Sequence, residues 1–364
     1  MFLAWYFTPT TIVNAVIIDK TVLNQEAQEH SVLYWLLHYK KYTKPSNKYY
    51  QKNEDYYGFF PKEDEEFEEK GLEEFSDSEL KKLSDTTDFV YITDTYGIYT
   101  KEWFSKEQQT ERSSLIYGGL KSQDVKLLKL LKQQHKLIIT EFNTFASPTS
   151  SKNRRDFEEL FNVEWTGWTG RYFATLDTLL NPELPRWLIK NYKEQHKNTW
   201  PFKKSGIAFV HANNTVIVLE DSLHLEQPLP KIISNNYGEE YFNLPASIKY
   251  PFWFDVIKLP DTINKTAANF QITPSKKGKK ELAKYGIPTK FPAVTYHSGD
   301  DYTFYYFSGD FSDNTINFNF SYFKGIGFFN RFFYDQKDPL GRESFFWKFY
   351  KPMLQQILED YIER

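Results

Sequence analysis

Three apolar runs in this sequence each end on a carboxylate: Asp19 after Val16-Ile-Ile, Asp94 after Tyr91-Ile-Thr, and Glu141 after Ile138-Ile-Thr. An apolar strand needs no terminal acid for stability, so three such coincidences point to chemistry. In an open parallel α/β sheet, ligands sit outside the carboxyl ends of the strands. If the three runs are parallel neighbours, their acids converge on one crevice. Polar groups follow each of them: Lys20 and Thr21, Thr95 and Tyr96, Asn143 and Thr144. Paired carboxylates of this kind can cleave a glycosidic bond, one as acid and the other as base or nucleophile. Glu141 is the expected acid, because burial among apolar strands raises a carboxyl pKa, and Asp94 is the expected partner. The ordinary alternative is that strand-end acids merely cap the next turn.

A second candidate is Glu164-Trp-Thr-Gly-Trp-Thr-Gly-Arg171. Trp165 and Trp168 could form an aromatic wall and Arg171 a cationic anchor. Sugars offer flat apolar faces rimmed by hydroxyls, which suits tryptophan platforms combined with carboxylates and an Asn. The expected substrate-binding set is Asp19, Lys20, Tyr96, Asn143, Glu164, Trp165, Trp168 and Arg171. The competing reading is a Trp-rich turn buried against the sheet. Glu220, Asp221, Asp310 and Asp313 also follow strand-like runs; they either line the same rim or are plain turn residues.

The elements that must hold these residues follow from periodicity. Asn14–Asp19, Phe89–Asp94 and Lys136–Glu141 are continuous apolar runs, the pattern of strands covered on both faces. Between them, Val32, Leu33, Leu36 and Leu37 show helical spacing, and Ser122 is placed to cap a helix over 123–135. Residues 152–161 also read as a helix. Alternation of this kind predicts an α/β fold: a mostly parallel Rossmann- or flavodoxin-like sheet with helices on both faces. From 52 to 88 there are 14 acidic and 5 basic residues, read as a solvated helical face or loop. The second half differs. Hairpins are expected at 206–219 and 293–307, with prolines breaking the chain between 228 and 260. Phe346, Phe349, Tyr350, Met353, Leu354, Ile357, Leu358 and Tyr361 predict a C-terminal helix, with Pro352 near its start or at a kink. The expected organisation is an extension over 1–13 and a single domain over 14–364. That domain divides into a parallel core (14–200), antiparallel additions (201–343) and the terminal helix (344–364).

Composition narrows the chemistry. The 364 residues contain no cysteine, which removes disulfides, thiolate metal sites and cysteine nucleophiles. A formal charge of −3 gives no general attraction to nucleic acid. There is no Walker loop, no G-x-G-x-x-G after a strand, no H-E-x-x-H and no G-x-S-x-G. The seven histidines show no metal-ligand spacing, so neither metal nor cofactor is expected. Residues 1–18 are uncharged and begin MFLAWYF, a run shorter than the about 20 apolar residues that span a bilayer. It reads either as an extension into the first strand or as the interfacial end of a membrane helix lying upstream of Met1. Trp and Tyr favour that depth.

The first 150 residues resemble the class I glutamine amidotransferase-like superfamily. The resemblance lies in the strand ending Ile92-Thr-Asp94, Gly118-Gly119 before a helix, and the strand Leu137 to Thr140. That arrangement recurs in its non-amidotransferase branches, such as trehalose-utilisation-like proteins and the middle domain of some β-galactosidases. Ala293 to Asp313 is similar to their late strands, with Tyr305 to Asp310 returning to the sheet. The resemblance implies the fold. Amidotransferases use a cysteine nucleophile, and this chain has none. The chain also resembles bacterial envelope proteins.

The expected function is therefore a cell-envelope carbohydrate-processing protein, a glycosidase-like hydrolase built on strand-end carboxylates. The alternative is a non-enzymatic glycan-binding or scaffold module of a polysaccharide biosynthesis or export system. A nucleotide sensor ranks last for want of a phosphate loop. The expected ligand is a carbohydrate or other small molecule. The expected location is membrane-associated with the soluble part outside the cytoplasm, the alternative being cytoplasmic.

Overall fold

The computed structural model describes residues 1–104, 113–335, 338 and 340–362; 105–112, 336, 337, 339, 363 and 364 of the ranges above therefore lie outside it. Its principal strands, in chain order, are β1 (Ala15–Asp19), β2 (Tyr57–Pro61), β3 (Phe67–Lys70), β4 (Phe89–Asp94) and β5 (Leu137–Glu141). They continue as β6 (Glu164–Phe173), β7 (Gly206–His211), β8 (Val216–Glu220), β9 (Leu225–Ser234) and β10 (Ser247–Lys249). The last four are β11 (Phe254–Lys258), β12 (Lys265–Pro274), β13 (Lys290–Ser298) and β14 (Thr303–Phe307). One ten-stranded sheet runs β10-β9-β12-β13-β14-β5-β4-β1-β2-β3, and a four-stranded sheet runs β8-β7-β6-β11.

The centre of the large sheet, β14-β5-β4-β1-β2, is parallel. Its flanking pairs are antiparallel. The α/β class is as expected, with helices on both faces. One face of β1, β4 and β5 (Ile17, Tyr91, Ile139) packs under the helix Gln28–Lys40 and the C-terminal helical segment. The other face (Val16, Val90, Ile92, Ile138) meets Leu80, Leu127, Leu128, Leu131, Phe157 and Phe161 of three further helices. Burial on both sides explains why these strands are apolar without alternation. Removing one such side chain, as in Leu128→Ala, costs about 2–5 kcal/mol through lost transfer energy and a cavity.

Several local expectations change. The acidic stretch contains β2, β3 and the helix Asp77–Thr86, started by a capping box in which Ser76 Oγ accepts from Glu79 N–H. The residue before the helix Ser122–Gln133 is Lys121 rather than Ser122, and its N–H is held by Asp124. The Trp- and Gly-rich segment is the ten-residue strand β6, not a turn. The chain between 228 and 260 still forms β9, β10 and β11, because its prolines fall at strand ends and pairing irregularities. At the C-terminus a π-helical turn, Phe346–Tyr350, precedes the helix Lys351–Ile362. Pro352 has no N–H to give the Lys348 carbonyl, so the regular i→i−4 ladder is interrupted there. The apolar cluster on one face of the large sheet draws residues from Val13 to Leu358, beside separate clusters on its other face and around the small sheet.

Candidate functional site

The three strands are neighbours in the order β5-β4-β1, so their acids do lie at one end of the sheet. Strand alternation then separates them. Asp19 shares the parity of Ile17, and Glu141 that of Ile139, which turns both beneath the helical layer. Asp94 shares the parity of Val90 and Ile92, and it turns the other way. A register shift between β1 and β4 falls at this same end, where Asp94 pairs with Asp19.

Glu141 is fully buried. It accepts from the Tyr91 hydroxyl and from Ser312 N–H at 3.0 Å, with the Tyr350 hydroxyl against Tyr91. Burial pushes its pKa up to about 7, as anticipated, yet the residue does not line the cleft described below. Asp19 is equally enclosed, with Oδ2 at 2.7 Å from His30 Nδ1 and Oδ1 accepting from Thr21 N–H at 2.9 Å. Lys20, a single residue on, points to the opposite face and is also buried. Its ammonium lies 2.6 Å from Asp124 and 2.8 Å from Glu73. These three residues are thus interior groups; no strand-end pattern distinguishes an acid under a helix from one beside a cleft.

The open cleft lies where Asp94 emerges. It encloses ≈ 290 Å³ between the carboxyl end of the parallel strands and the four-stranded sheet. Asp94, Tyr96, Asn143 and Trp165 of the expected set line it. So do Trp187, Trp253, His211 and Asp310, three of which the sequence reading did not single out. Tyr96 N–H donates to Asp94 Oδ1 at 2.5 Å. Asn143, held at φ 61°, gives its N–H to Asp255 at 3.0 Å. Asp255 is buried behind the wall and also takes hydrogen bonds from Tyr306 and Thr169, at 2.8 and 3.0 Å. It therefore fixes Asn143 and β6 together. The lone sign of it in sequence is an acid inside the aromatic run Trp253-Phe-Asp255.

The wall depends on one glycine. Gly167 has φ 87°, and a Cβ there would lie 2.4 Å from His211 Nε2. The turned backbone lets Trp165 face the cleft while Trp168, three residues on across the register shift, is buried against His211 at 4.8 Å between ring centroids. Asn213 N–H donates to His211 Nδ1, so Nε2 carries the hydrogen. Arg171 and Glu164 lie elsewhere. Arg171 lines a neighbouring cavity and pairs with Glu183 at 2.5 Å; Glu164 pairs with Lys258 at 2.6 Å at the start of β6. Glu220 holds the turn N–H groups of Lys203 and Lys204.

Charge is crowded behind the cleft. Burial pushes the Asp94 carboxyl well above the usual carboxylate range, and the negative charge of Asp19 adds to it. Glu29, half-buried at the start of its helix, is pushed up to about 9 by burial and by Asp19, with Asp313 and Asp94 contributing. Asp310 is raised by burial and by Asp313, while the Arg342 guanidinium opposes the rise. Arg342 lies 2.8 Å from Asp313 and 3.6 Å from Asp310. Among the described residues no group of three or more His, Asp and Glu converges closely enough to hold a metal ion.

Comparison with known proteins adds outline only. No protein-family model matches the chain, and no curated protein matches it. Among solved structures, a ThuA-like protein of Bacteroides uniformis is similar over 84% of each chain, at 10% identity and TM-score 0.37. One from Parabacteroides merdae covers 82% of this chain and 79% of its own, at 11% identity and TM-score 0.36. The carbohydrate deacetylase Agd3 aligns with 82% of this chain but 30% of its own, at 7% identity and TM-score 0.34.

Proposed function

We propose that the cleft is a carbohydrate-processing site in which Asp94 and Asp310 act as the carboxyl pair of a glycosidase-like hydrolase. The observation that carries this reading is their position: both face one cleft walled by Trp165, Trp187 and Trp253. Indole faces stack on the apolar faces of sugar rings, while Asn143, Tyr96 and His211 meet hydroxyls. Burial and the negative charges of Asp19 and Asp255 push the Asp94 carboxyl well above the usual range, toward its protonated form. Burial and Asp313 raise the Asp310 carboxyl too, but the Arg342 guanidinium 3.6 Å away opposes that rise, and this is the group that would hold negative charge on Asp310 during the reaction. Asp94 is then the acid that protonates the glycosidic oxygen, and Asp310 the base or nucleophile on the other side.

A panel of aryl glycosides and oligosaccharides tests this. Turnover in the native protein should fall about 10²–10⁴-fold in Asp94→Asn, the usual worth of a general acid. Glu141→Gln should keep turnover, since Glu141 does not line this cleft. Glycan binding with no turnover on any substrate would make the protein a binding or scaffold module. A cleft that binds no glycan would end both readings. A place at the cell envelope goes with either carbohydrate role.

A further inference from the structure

The sequence from 316 to 334 holds seven Phe and two Tyr, with Lys324 and Arg331 its charged residues and no acid. It folds into two 3₁₀ segments, Phe318–Tyr322 and Ile326–Phe332. Phe328 is 84% exposed and Phe332 72% exposed. The N-terminal helix Phe2–Phe7 lies alongside, with the Phe2 and Phe323 rings 6.3 Å apart. Trp5 pins this helix down. It stacks on His38 at 4.9 Å, meets Tyr322 at 4.8 Å and donates from Nε1 to the His38 carbonyl at 3.1 Å. The helix is therefore docked, yet Leu3, Tyr6 and Phe7 point outward, Phe7 at 76% exposure.

Cations fringe the same surface. Lys41 Nζ donates to the Tyr6 carbonyl at 3.0 Å and lies 4.8 Å from the Trp5 ring. Lys324 and Lys351 each stand 5.0 Å from the Tyr39 ring, and Arg331 5.5 Å from Phe332. Burial lowers the Lys351 pKa to about 8, with Lys324 and Lys40 adding to the fall, which reflects how closely these cations crowd. Glu359, whose charge works against that fall, is bonded to Lys40 at 2.6 Å.

A protein rarely leaves so many large aromatic side chains in water without a use for them. Exposed aromatic rings beside basic residues match the boundary of a bilayer with anionic headgroups: rings settle at headgroup depth and cations are drawn to the negative surface. An acidic protein partner would satisfy the charge but not call for scattered, fully exposed rings on two separate elements. No helix among the described residues is long and apolar enough to cross a membrane, so this surface would lie on a bilayer rather than span it.

We propose that the face built by Phe2–Phe7 and Phe318–Phe332 docks on an anionic lipid surface, with Phe7, Phe328 and Phe332 among the headgroups and Lys324 and Arg331 against the lipid charge. The proposal stands apart from the chemistry of the cleft. The test is co-sedimentation of the protein with vesicles of phosphatidylcholine containing a quarter phosphatidylglycerol, and with phosphatidylcholine alone. Binding should favour the anionic vesicles and weaken with added salt. Phe328→Ser with Phe332→Ser should lower partitioning about tenfold or more, since two exposed rings leave the interface without disturbing the core. Arg331→Glu should lower it on anionic vesicles alone. Failure of the native protein to bind either vesicle would overturn the proposal, as would unchanged binding in the double variant. So would self-association of the native protein that the double variant abolishes without any vesicle binding, because the face would then be an interface between copies of the chain.

Discussion

His30 Nδ1 lies 2.7 Å from Asp19 Oδ2, and His30 Nε2 lies 2.8 Å from the Lys52 carbonyl. A carbonyl only accepts, so Nε2 carries a hydrogen, and a second hydrogen must lie between Nδ1 and the carboxylate. The pair is thus an imidazolium with a carboxylate, or a neutral imidazole with a carboxylic acid. Either way it is neutral as a unit, in a place without water. His30→Leu would strand the carboxyl of Asp19. Removing one partner of a buried pair costs about 3–5 kcal/mol, and urea unfolding should show a loss of that size. A loss well under this would mean that the carboxyl is satisfied without the ring.

The enclosed Glu141 governs a pH dependence. Its carboxyl titrates near 7 in the folded protein, against 4.5 ordinarily. The folded state therefore binds more protons than the unfolded chain between those values, and stability falls as pH rises through that window. The stabilisation is complete below 4.5 and gone above about 7. At 1.36 kcal/mol per unit the contribution is on the order of 3 kcal/mol. Thermal unfolding at pH 5 and pH 8 should differ less in Glu141→Gln than in the native protein. Equal slopes in the two would contradict the buried assignment.

Lys20 makes a comparable case with the charge reversed. Burial pulls its pKa down, but Asp124 and Glu73 outweigh burial and leave it raised. Lys20→Met would leave Asp124, whose side chain is 1% exposed, uncompensated. We expect about 3–5 kcal/mol of destabilisation by denaturant titration, with glycan affinity of the folded fraction unchanged. A selective loss of affinity in a protein of native stability would return Lys20 to the binding site.

Trp187 stands at the opposite wall of the cleft from the strand ends, on the helix Arg186–Gln195. Removing its indole should weaken saccharide binding about tenfold, through lost stacking area, while the melting temperature stays near native. Calorimetric titration of Trp187→Ala beside the native protein measures both. An unchanged affinity would place the sugar elsewhere.

Much of the fold is legible in the chain because the cause is local. Val16-Ile-Ile, Phe89-Val-Tyr-Ile and Leu137-Ile-Ile are apolar without alternation, and only strands covered on both faces read so. The helical spacing from Val32 to Leu37 and the spacing from Phe346 to Tyr361 likewise name the faces that are buried. Carboxylates at three strand ends, and their gathering at one end of a parallel sheet, follow from the same signals. What only the tertiary structure decides is which of those acids meets solvent. Asp19 and Glu141 fall under a helical layer that the second half of the chain completes, through Tyr350 and Ser312, while Asp94 has the other parity and opens on the cleft. Its companions come from far along the chain: Trp187, Trp253 and Asp310 are brought there by β6, β11 and the return of β14 beside β5. Periodicity reports how a segment is buried. It carries no information about which distant segment does the burying, and at this site that choice separates a structural carboxyl from one positioned for chemistry.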